Sequence, residues 1–144
     1  MKIAIGNDHA GVEYKKEIIK YLKLENIEVK NYGTNSEESV DYPDHIHPVS
    51  NFVKKNKNSF GIIICGSGNG AAMTANKRSK IRAALCWNEE LSILARRHND
   101  ANIISIPARF VTLDSALKMV KLFLKTKFDG GRHQKRVDKI SSSL

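Results

Sequence analysis

Cysteine is scarce in this sequence, which has only Cys65 and Cys86 among its 144 residues. The two lie far apart and lack the close spacing of metal ligands, which excludes a disulfide framework and a cysteine-based zinc site. We therefore expect two reduced thiols. Cys86 falls inside the apolar stretch 83–87, and a cysteine in such a stretch is typically a small buried residue of the core.

Long apolar runs are also missing, since no stretch approaches the roughly 20 residues of a membrane span. The first residues, Met1 to Gly6, have the pattern of a strand and not that of a signal peptide. At 41% hydrophobic residues the chain can bury a core of ordinary size. We expect one domain over residues 1–144, a cytoplasmic location and no membrane partner.

Acidic residues are outnumbered, with 15 Asp and Glu against 24 Lys and Arg and a formal charge of +9. A basic surface raises the possibility of a nucleic-acid binder. The positive residues are nevertheless dispersed among acids, and no nucleic-acid motif is found. The exception is the stretch 130–136, where Arg132 and Arg136 stand one helical turn apart. This favours a small phosphate ligand over a nucleic-acid partner.

Apolar runs alternate with amphipathic patterns along the whole chain. Strands are predicted over 2–6, 27–32, 60–65, 81–87 and 101–107, and helices over 12–24, 43–57, 69–75, 88–97 and 112–126, with a last helix after Gly131. On the first helix Val12, Ile18, Ile19 and Leu22 are expected to face inward, and Lys15, Lys16, Lys20 and Lys23 outward. Met73, Met119 and Trp87 are expected in the core. This alternation predicts an α/β fold, with a parallel sheet between two layers of helices.

The most informative segment is Cys65-Gly66-Ser67-Gly68-Asn69-Gly70, which directly follows a buried strand. Glycines allow successive backbone N–H groups to converge on a negative charge, and the start of the next helix adds to this effect. A thiol at such a place ionises more easily. The segment predicts a site that stabilises an oxyanion beside a base or nucleophile. It is one residue too short for a dinucleotide fingerprint, and the loop after the first strand lacks the Lys and Ser/Thr of a P-loop.

Other polar groups follow the strands or the helix after the fourth strand, and we expect them to share one edge of the sheet with Cys65. They are Asp8, His9, His98, Asn99 and Arg109. Each also has an ordinary interpretation: a helix cap for Asp8, a surface histidine for His9, a helix C-terminus or turn for His98 and Asn99, and a surface charge for Arg109. An Asp-His pair at a strand end makes a functional role as plausible as an ordinary one.

The loops that carry these residues, together with Asp41-Tyr42-Pro43, Ala75-Asn76-Lys77, Ile81-Arg82-Ala83 and Gly130-Gly131-Arg132-His133-Gln134-x-Arg136, resemble type B ribose-5-phosphate isomerase over nearly the whole chain. The resemblance implies a single-domain, Rossmann-like three-layer sandwich whose C-terminal helix reaches a partner subunit. It implies a homodimer or homotetramer with shared sites, no cofactor and no metal. The implied reaction interconverts D-ribose 5-phosphate and D-ribulose 5-phosphate, in the non-oxidative pentose phosphate pathway.

The resemblance also implies a role for each site residue. Cys65 would be the base that moves a proton between C1 and C2, and His98 the acid that opens the furanose ring. Ser67 would shuttle a proton between O1 and O2. The remaining residues would bind substrate: Asp8 and Asn99 the sugar hydroxyls, the amides of Gly66, Ser67, Gly68, Asn69 and Gly70 the enediolate, and His9, Arg109, Arg132 and Arg136 the phosphate, with Tyr42 as a further substrate-binding residue. One branch of the family has a glutamate after the glycine loop in place of the cysteine, and here that position is Ala71.

Three alternatives stay open at this stage. An allose-6-phosphate or galactose-6-phosphate isomerase of the same group would have similar motifs. A non-catalytic sugar-phosphate-binding module would share the fold, although the presence of both Cys65 and His98 argues against it. A nucleic-acid binder is motivated only by the net charge.

Overall fold

A computed structural model describes residues 1–142 and places five parallel strands in one sheet. The strands are β1 Lys2–Asn7, β2 Glu28–Asn31, β3 Ser59–Cys65, β4 Ala83–Leu85 and β5 Ile103–Pro107. The helices are α1 Val12–Leu24, α2 Tyr42–Lys55, α3 Asn69–Ala75, α4 Glu89–Asn99, α5 Leu113–Lys125 and α6 Arg132–Lys139, and a 3₁₀ turn, His9–Gly11, precedes α1. Every predicted element is confirmed, with ends that differ by at most two residues.

The strand order β2-β1-β3-β5-β4 puts β3 at the centre of the sheet. Successive side chains of a strand point to opposite faces, so β3 supplies both halves of the core. Ile62 and Ile64 pack with residues of α1, α4 and α5, whereas Ile63 and Cys65 pack with residues of α2 and α3. The predicted three-layer arrangement is therefore confirmed, and Cys65 lies on the face covered by α2 and α3.

The carboxyl ends of β1 and β3 form the switch point of this topology. From β1 the chain crosses to β2 on one side, and from β3 it crosses towards β4 on the other. Asn7 and Ile64 are partners in the parallel register, so the loops that follow them begin side by side. Diverging connections leave a crevice at such a point, where ligands of open α/β sheets bind.

Lys15 does not face outward as predicted, because its side chain is buried with Ile18 and Leu22 on the same face of α1. The spacing 15, 18, 22 follows the helical period, and the charge of Lys15 obscured it. The ammonium group donates hydrogen bonds to the Thr34 carbonyl oxygen and to Asn35 Oδ1, at 2.6 Å for the latter. Burial lowers the pKa of Lys15.

Two of the residues expected in the core are exposed instead. Met73 is 67% exposed because Ala71, Thr74 and Ala75 form the buried face of the short helix α3. Trp87 is 55% exposed because it lies beyond the end of the edge strand β4. Met119 is fully buried, as predicted. No helix within residues 1–142 combines the length and apolar character needed to cross a membrane.

Candidate active site

At the carboxyl end of β1, Asp8 lies directly beside β3. Its backbone N–H donates to the Ile64 carbonyl oxygen at 3.1 Å. Its Oδ1 atom accepts a hydrogen bond from the N–H of Ala10 at 2.9 Å, so Asp8 does cap the turn His9–Gly11. The cap fixes the orientation of the carboxylate, which is 7% exposed, next to the end of β3. A capping role and a role in substrate binding are therefore compatible for Asp8.

The glycine loop is held against β5 by backbone hydrogen bonds. The carbonyl oxygens of Cys65 and Gly66 accept from the N–H groups of Ala108 and Arg109, at 2.9 and 3.0 Å. The buried Ser105 hydroxyl donates to the Gly68 carbonyl oxygen at 2.7 Å. These bonds fix the carbonyl groups, so the loop is a preorganised piece of backbone.

Gly68 explains why the loop needs glycine. Its φ of +74° lies in the left-handed region, and a Cβ there would come within 2.5 Å of Leu85 Cδ1. The residue is the N-cap of α3, whose first N–H groups have no acceptor within the helix. One of them is already used, because the Asn69 N–H donates to Ser67 Oγ at 3.3 Å.

The two thiols have different surroundings. Cys65 ends the central strand beside this loop and is 4% exposed. Cys86 is 1% exposed, and burial raises its pKa to about 11. Cys86 is therefore an inert core thiol, as predicted, and Cys65 is the thiol at the crevice.

Three further predicted residues surround the loop. The guanidinium group of Arg109 lies over Gly66, with Nη1 3.2 Å from the place that a Cβ would take. The ring of Tyr42 lies against Gly70 in the same way, with its Cζ atom at 2.5 Å. His9 Nδ1 accepts a hydrogen bond from the Val40 N–H at 3.3 Å. In the neutral ring the proton is consequently on Nε2, which can donate to an anion.

Asn7 was not identified from the sequence, although it organises this edge. It is fully buried, and its amide donates to the carbonyl oxygens of Asp8 and Thr34, at 2.7 and 3.2 Å. Gly33 packs so closely on Asn7 that a Cβ would not fit. The glycine that ends the predicted second strand was the only sequence signal of this contact.

His98 and Asn99 do not share this edge, which corrects the sequence-based expectation. They end α4, and a helix that follows a parallel strand runs back across the sheet, so it ends at the amino edge. Arg82, immediately before β4, accordingly donates from Nε to the Asn99 carbonyl oxygen at 3.2 Å. At about 3.3 Å per residue, the seven residues of β3 separate the two edges by roughly 20 Å.

The end of α4 is held by ion pairs. Asp100 adopts a left-handed conformation, with φ of +46°. Its carboxylate lies 3.1 Å from Arg82 Nη2 and 2.8 Å from Arg96 Nη1. Arg96 is itself buried and packs over the ring of Phe60. These contacts fix the residues that directly follow His98 and Asn99.

His133, in the first turn of α6, stacks on His98. The ring centroids are 4.3 Å apart and the planes differ by 10°. Burial and the nearby positive groups, His98 first among them, lower the pKa of His133. The sequence-based predictions gave roles to Arg132 and Arg136, whereas His133 between them was part of the motif without a role. Its burial results from the packing of α6 on α4, for which the sequence carries no signal.

A pocket of about 340 Å³ opens beside this stack. Its lining includes His98, Asn99, His133 and Arg136. Arg132 and Arg136 are both exposed on α6. The predicted site residues thus form two groups, which we call the carboxyl-edge half-site (Asp8, His9, Tyr42, Cys65 to Gly70 and Arg109) and the amino-edge half-site (His98, Asn99, Arg132 and Arg136).

Comparison with known proteins finds similarity along nearly the whole chain. The sequence model of the ribose/galactose isomerase family matches residues 3–140. Ribose-5-phosphate isomerase B of Escherichia coli is 40% identical over 141 residues, which are 98% of this chain and 95% of that protein.

Solved structures are equally similar. Ribose-5-phosphate isomerase B of Clostridium thermocellum is 48% identical, with a TM-score of 0.94 over 97% of this chain and 95% of that one. The Mycoplasma genitalium enzyme with bound ribulose-5-phosphate is 44% identical, with a TM-score of 0.93 over 96% of this chain and 93% of that one. With the matching fold and the family model covering almost all of its length, the chain belongs to the ribose/galactose isomerase family.

Proposed function

We propose that this protein is a ribose-5-phosphate isomerase, which interconverts D-ribose 5-phosphate and D-ribulose 5-phosphate through an enediolate in the non-oxidative pentose phosphate pathway. The observation that carries the proposal is Cys65 at the end of the central strand, beside a backbone loop fixed by Ala108, Arg109 and Ser105. The names of the relatives, and the ribulose-5-phosphate in the Mycoplasma genitalium structure, support the pentose substrate.

The reaction needs a base, a place for negative charge and an acid. Cys65 Sγ would take the proton from C2 of the open-chain aldose and return it to C1. Ser67 would carry the hydroxyl proton between O1 and O2. The loop amides, apart from that of Asn69, would donate to the enediolate oxygen, and each preorganised donor contributes about 3 to 4 kcal/mol to such a step. The reaction is balanced without a redox partner, and we propose that it needs no metal.

Recognition of the sugar and phosphate falls to both half-sites. Asp8 would use Oδ2, the oxygen that does not cap the turn, to accept from a sugar hydroxyl. His9 Nε2–H and Arg109 would bind the phosphate, and Tyr42 would contact the sugar beside Gly70. From the other half-site, His98 would protonate the ring oxygen, Asn99 would bind a hydroxyl, and Arg132 and Arg136 would bind the phosphate.

These roles require the two half-sites to meet, and within one chain the sheet keeps them roughly 20 Å apart. We therefore propose a homodimer or a larger homo-oligomer in which α4 and α6 of one subunit complete the carboxyl edge of the next. In a two-fold dimer each contact occurs twice, which gives two equivalent sites.

A hexose-phosphate isomerase is the second candidate, because the matching family is described by both ribose and galactose. The decisive assay uses metal-free protein with ribose 5-phosphate, allose 6-phosphate and galactose 6-phosphate, and follows ketose formation. We expect turnover to be fastest with ribose 5-phosphate. Faster turnover of a hexose phosphate would identify the second candidate. Absence of ketose from all three would indicate a non-catalytic binding module.

A further inference from the structure

Three side chains at the amino-edge half-site, one of them a member of it, have the composition of a transition-metal site. The metal-binding atoms of His98, Asp129 and His133 all lie within 4.8 Å of one another. They come from the end of α4, the connection after α5 and the first turn of α6. Asp129 and His133 have no role in the proposed isomerisation.

The carboxylate of this cluster is held in place. The Asp129 N–H donates to the Arg97 carbonyl oxygen at 3.0 Å, which fixes the backbone. Arg97 Nε donates to both carboxylate oxygens, at 3.2 and 3.1 Å, and lowers the pKa of Asp129. A carboxylate that is oriented by a hydrogen-bonding partner is typical of metal ligands.

The two imidazoles are held as well. Gly130 and Gly131 both have positive φ, of +64° and +54°, and this turn brings α6 back against α4. His133 is 9% exposed as a result and stacks on His98. Folding therefore brings the donors together without help from a ligand.

Two imidazoles and one carboxylate form a known ligand set of zinc, with a fourth position for water. Imidazole ligands favour zinc, copper and nickel over magnesium or calcium. Ligands of one tetrahedral zinc ion are roughly 3.4 Å apart, given bonds of about 2.1 Å. Ring nitrogens bind a metal in the plane of the ring, so the two stacked rings must tilt out of their parallel arrangement to point at one ion, and the ligand atoms must close from within 4.8 Å to that spacing.

Positive charges oppose a cation here, since Arg97 is paired with Asp129 and both Arg132 and Arg136 flank His133. They lower the affinity below that of a structural zinc site. A site of moderate affinity is suited to reversible occupation.

We propose that His98, Asp129 and His133 bind a divalent ion of the zinc type, and that this ion inhibits the enzyme. A metal bound to His98 occupies one of its two ring nitrogens and prevents the ring from becoming the doubly protonated acid that ring opening requires. The inhibitory role rests on the proposed function of His98, whereas metal binding does not.

Binding is tested by titration calorimetry of metal-free protein with Zn²⁺, in a Cys65→Ala background that removes the thiol at the crevice. We expect one ion per chain, and binding at least tenfold weaker after Asp129→Asn or His133→Asn. Asp138→Asn is the matched control, because it removes another exposed carboxylate of the same region, which accepts a hydrogen bond from Gln134 Nε2. No binding, or equal binding by the Asp129→Asn protein, would overturn the site.

Inhibition is tested with chains that retain Cys65. Zn²⁺ should stop turnover of ribose 5-phosphate, and a chelator should restore it. Asp129→Asn should keep its metal-free turnover and need at least tenfold more Zn²⁺ for the same inhibition. Site-specific binding without inhibition would overturn the inhibitory role. Absence of metal-free turnover in the unaltered chain would instead contradict the proposed function and leave the calorimetric result valid.

Discussion

The carboxyl-edge and amino-edge half-sites are built in different ways. The carboxyl edge consists mainly of backbone, with a glycine loop bonded to β5 and packed on Leu85 and Tyr42. The amino edge consists of side chains at two helix ends, and ion pairs of Asp100 hold the end of α4. Charge that develops on a substrate oxygen needs fixed donors, whereas a phosphate can be held by exposed arginines. In the proposed mechanism, proton transfer therefore takes place at the rigid carboxyl edge, whereas ring opening and much of the phosphate binding depend on the amino edge.

The largest expected effect follows from removing the base at the rigid edge. Cys65→Ala should lower kcat by roughly a thousandfold, because a positioned base contributes about 10² to 10⁴. Cys86→Ala is the matched control, since that thiol is buried away from the crevice, and its turnover should stay near that of the unaltered chain. Steady-state assays with ribose 5-phosphate measure both. Comparable losses in the two variants would mean that core packing, and not the chemistry of Cys65, is responsible.

The His98→Asn variant distinguishes ring opening, assigned to the amino edge, from proton transfer at carbon, assigned to the carboxyl edge. Turnover of cyclic ribose 5-phosphate should fall by about a hundredfold, because the ring-opening acid is lost. Ribulose 5-phosphate has no ring to open, so the exchange of its C1 hydrogen with deuterated water should continue. Nuclear magnetic resonance can follow this exchange. Loss of exchange in the His98 variant would assign His98 to proton transfer at carbon.

Two glycines with positive φ, Gly68 and Gly130, allow the packing of the two edges to be compared by substitution. Gly68→Ala puts a methyl group 2.5 Å from Leu85 Cδ1, whereas a methyl group on Gly130 meets no atom of residues 1–142 within 4 Å. Both variants carry the backbone strain of about 1 to 2 kcal/mol, and only Gly68→Ala adds overpacking, of about 1 to 3 kcal/mol. Urea denaturation should show the larger loss in unfolding free energy for Gly68→Ala. Equal losses would mean that the glycine loop is no more tightly packed than the turn before α6.

The smallest expected effect concerns phosphate binding at the amino edge. Arg136→Ala should raise KM by roughly tenfold, as for loss of one charge-assisted hydrogen bond, and leave kcat nearly unchanged. Lys135→Ala, a neighbouring exposed cation on α6, is the control and should change neither. An unchanged KM in the Arg136 variant would remove that residue from the site.

Most of the fold and the carboxyl-edge half-site were predictable from the sequence. The run of isoleucines before Cys65 has the composition of a central strand, and the glycines after it indicate a loop that must approach a ligand. Lys15 was misplaced because its charge outweighed its helical spacing with Ile18 and Leu22. The ammonium group can be buried because it donates to the Thr34 carbonyl oxygen and to Asn35. Both acceptors lie outside α1, so the residue pattern of that helix could not reveal them.

The amino-edge half-site was harder to predict, although part of the signal was present. The alternation of strands and helices already implies that α4 ends away from Cys65, so His98 could have been placed correctly. The stack of His98 and His133 could not, because it results from α6 packing on α4 across a turn with two positive-φ glycines. Residues that a family pattern assigns to one active site therefore need not lie close together in space within one chain.

The central claim is that each active site joins the carboxyl edge of one subunit to the amino edge of another, and complementation tests it most directly. Cys65→Ala and His98→Asn chains, with different affinity tags, are co-expressed, and the mixed dimers are isolated and assayed with ribose 5-phosphate. A shared site predicts that one of the two sites in each mixed dimer is intact, with about half the activity of the unaltered dimer. Mixed dimers as inactive as either parent would contradict it.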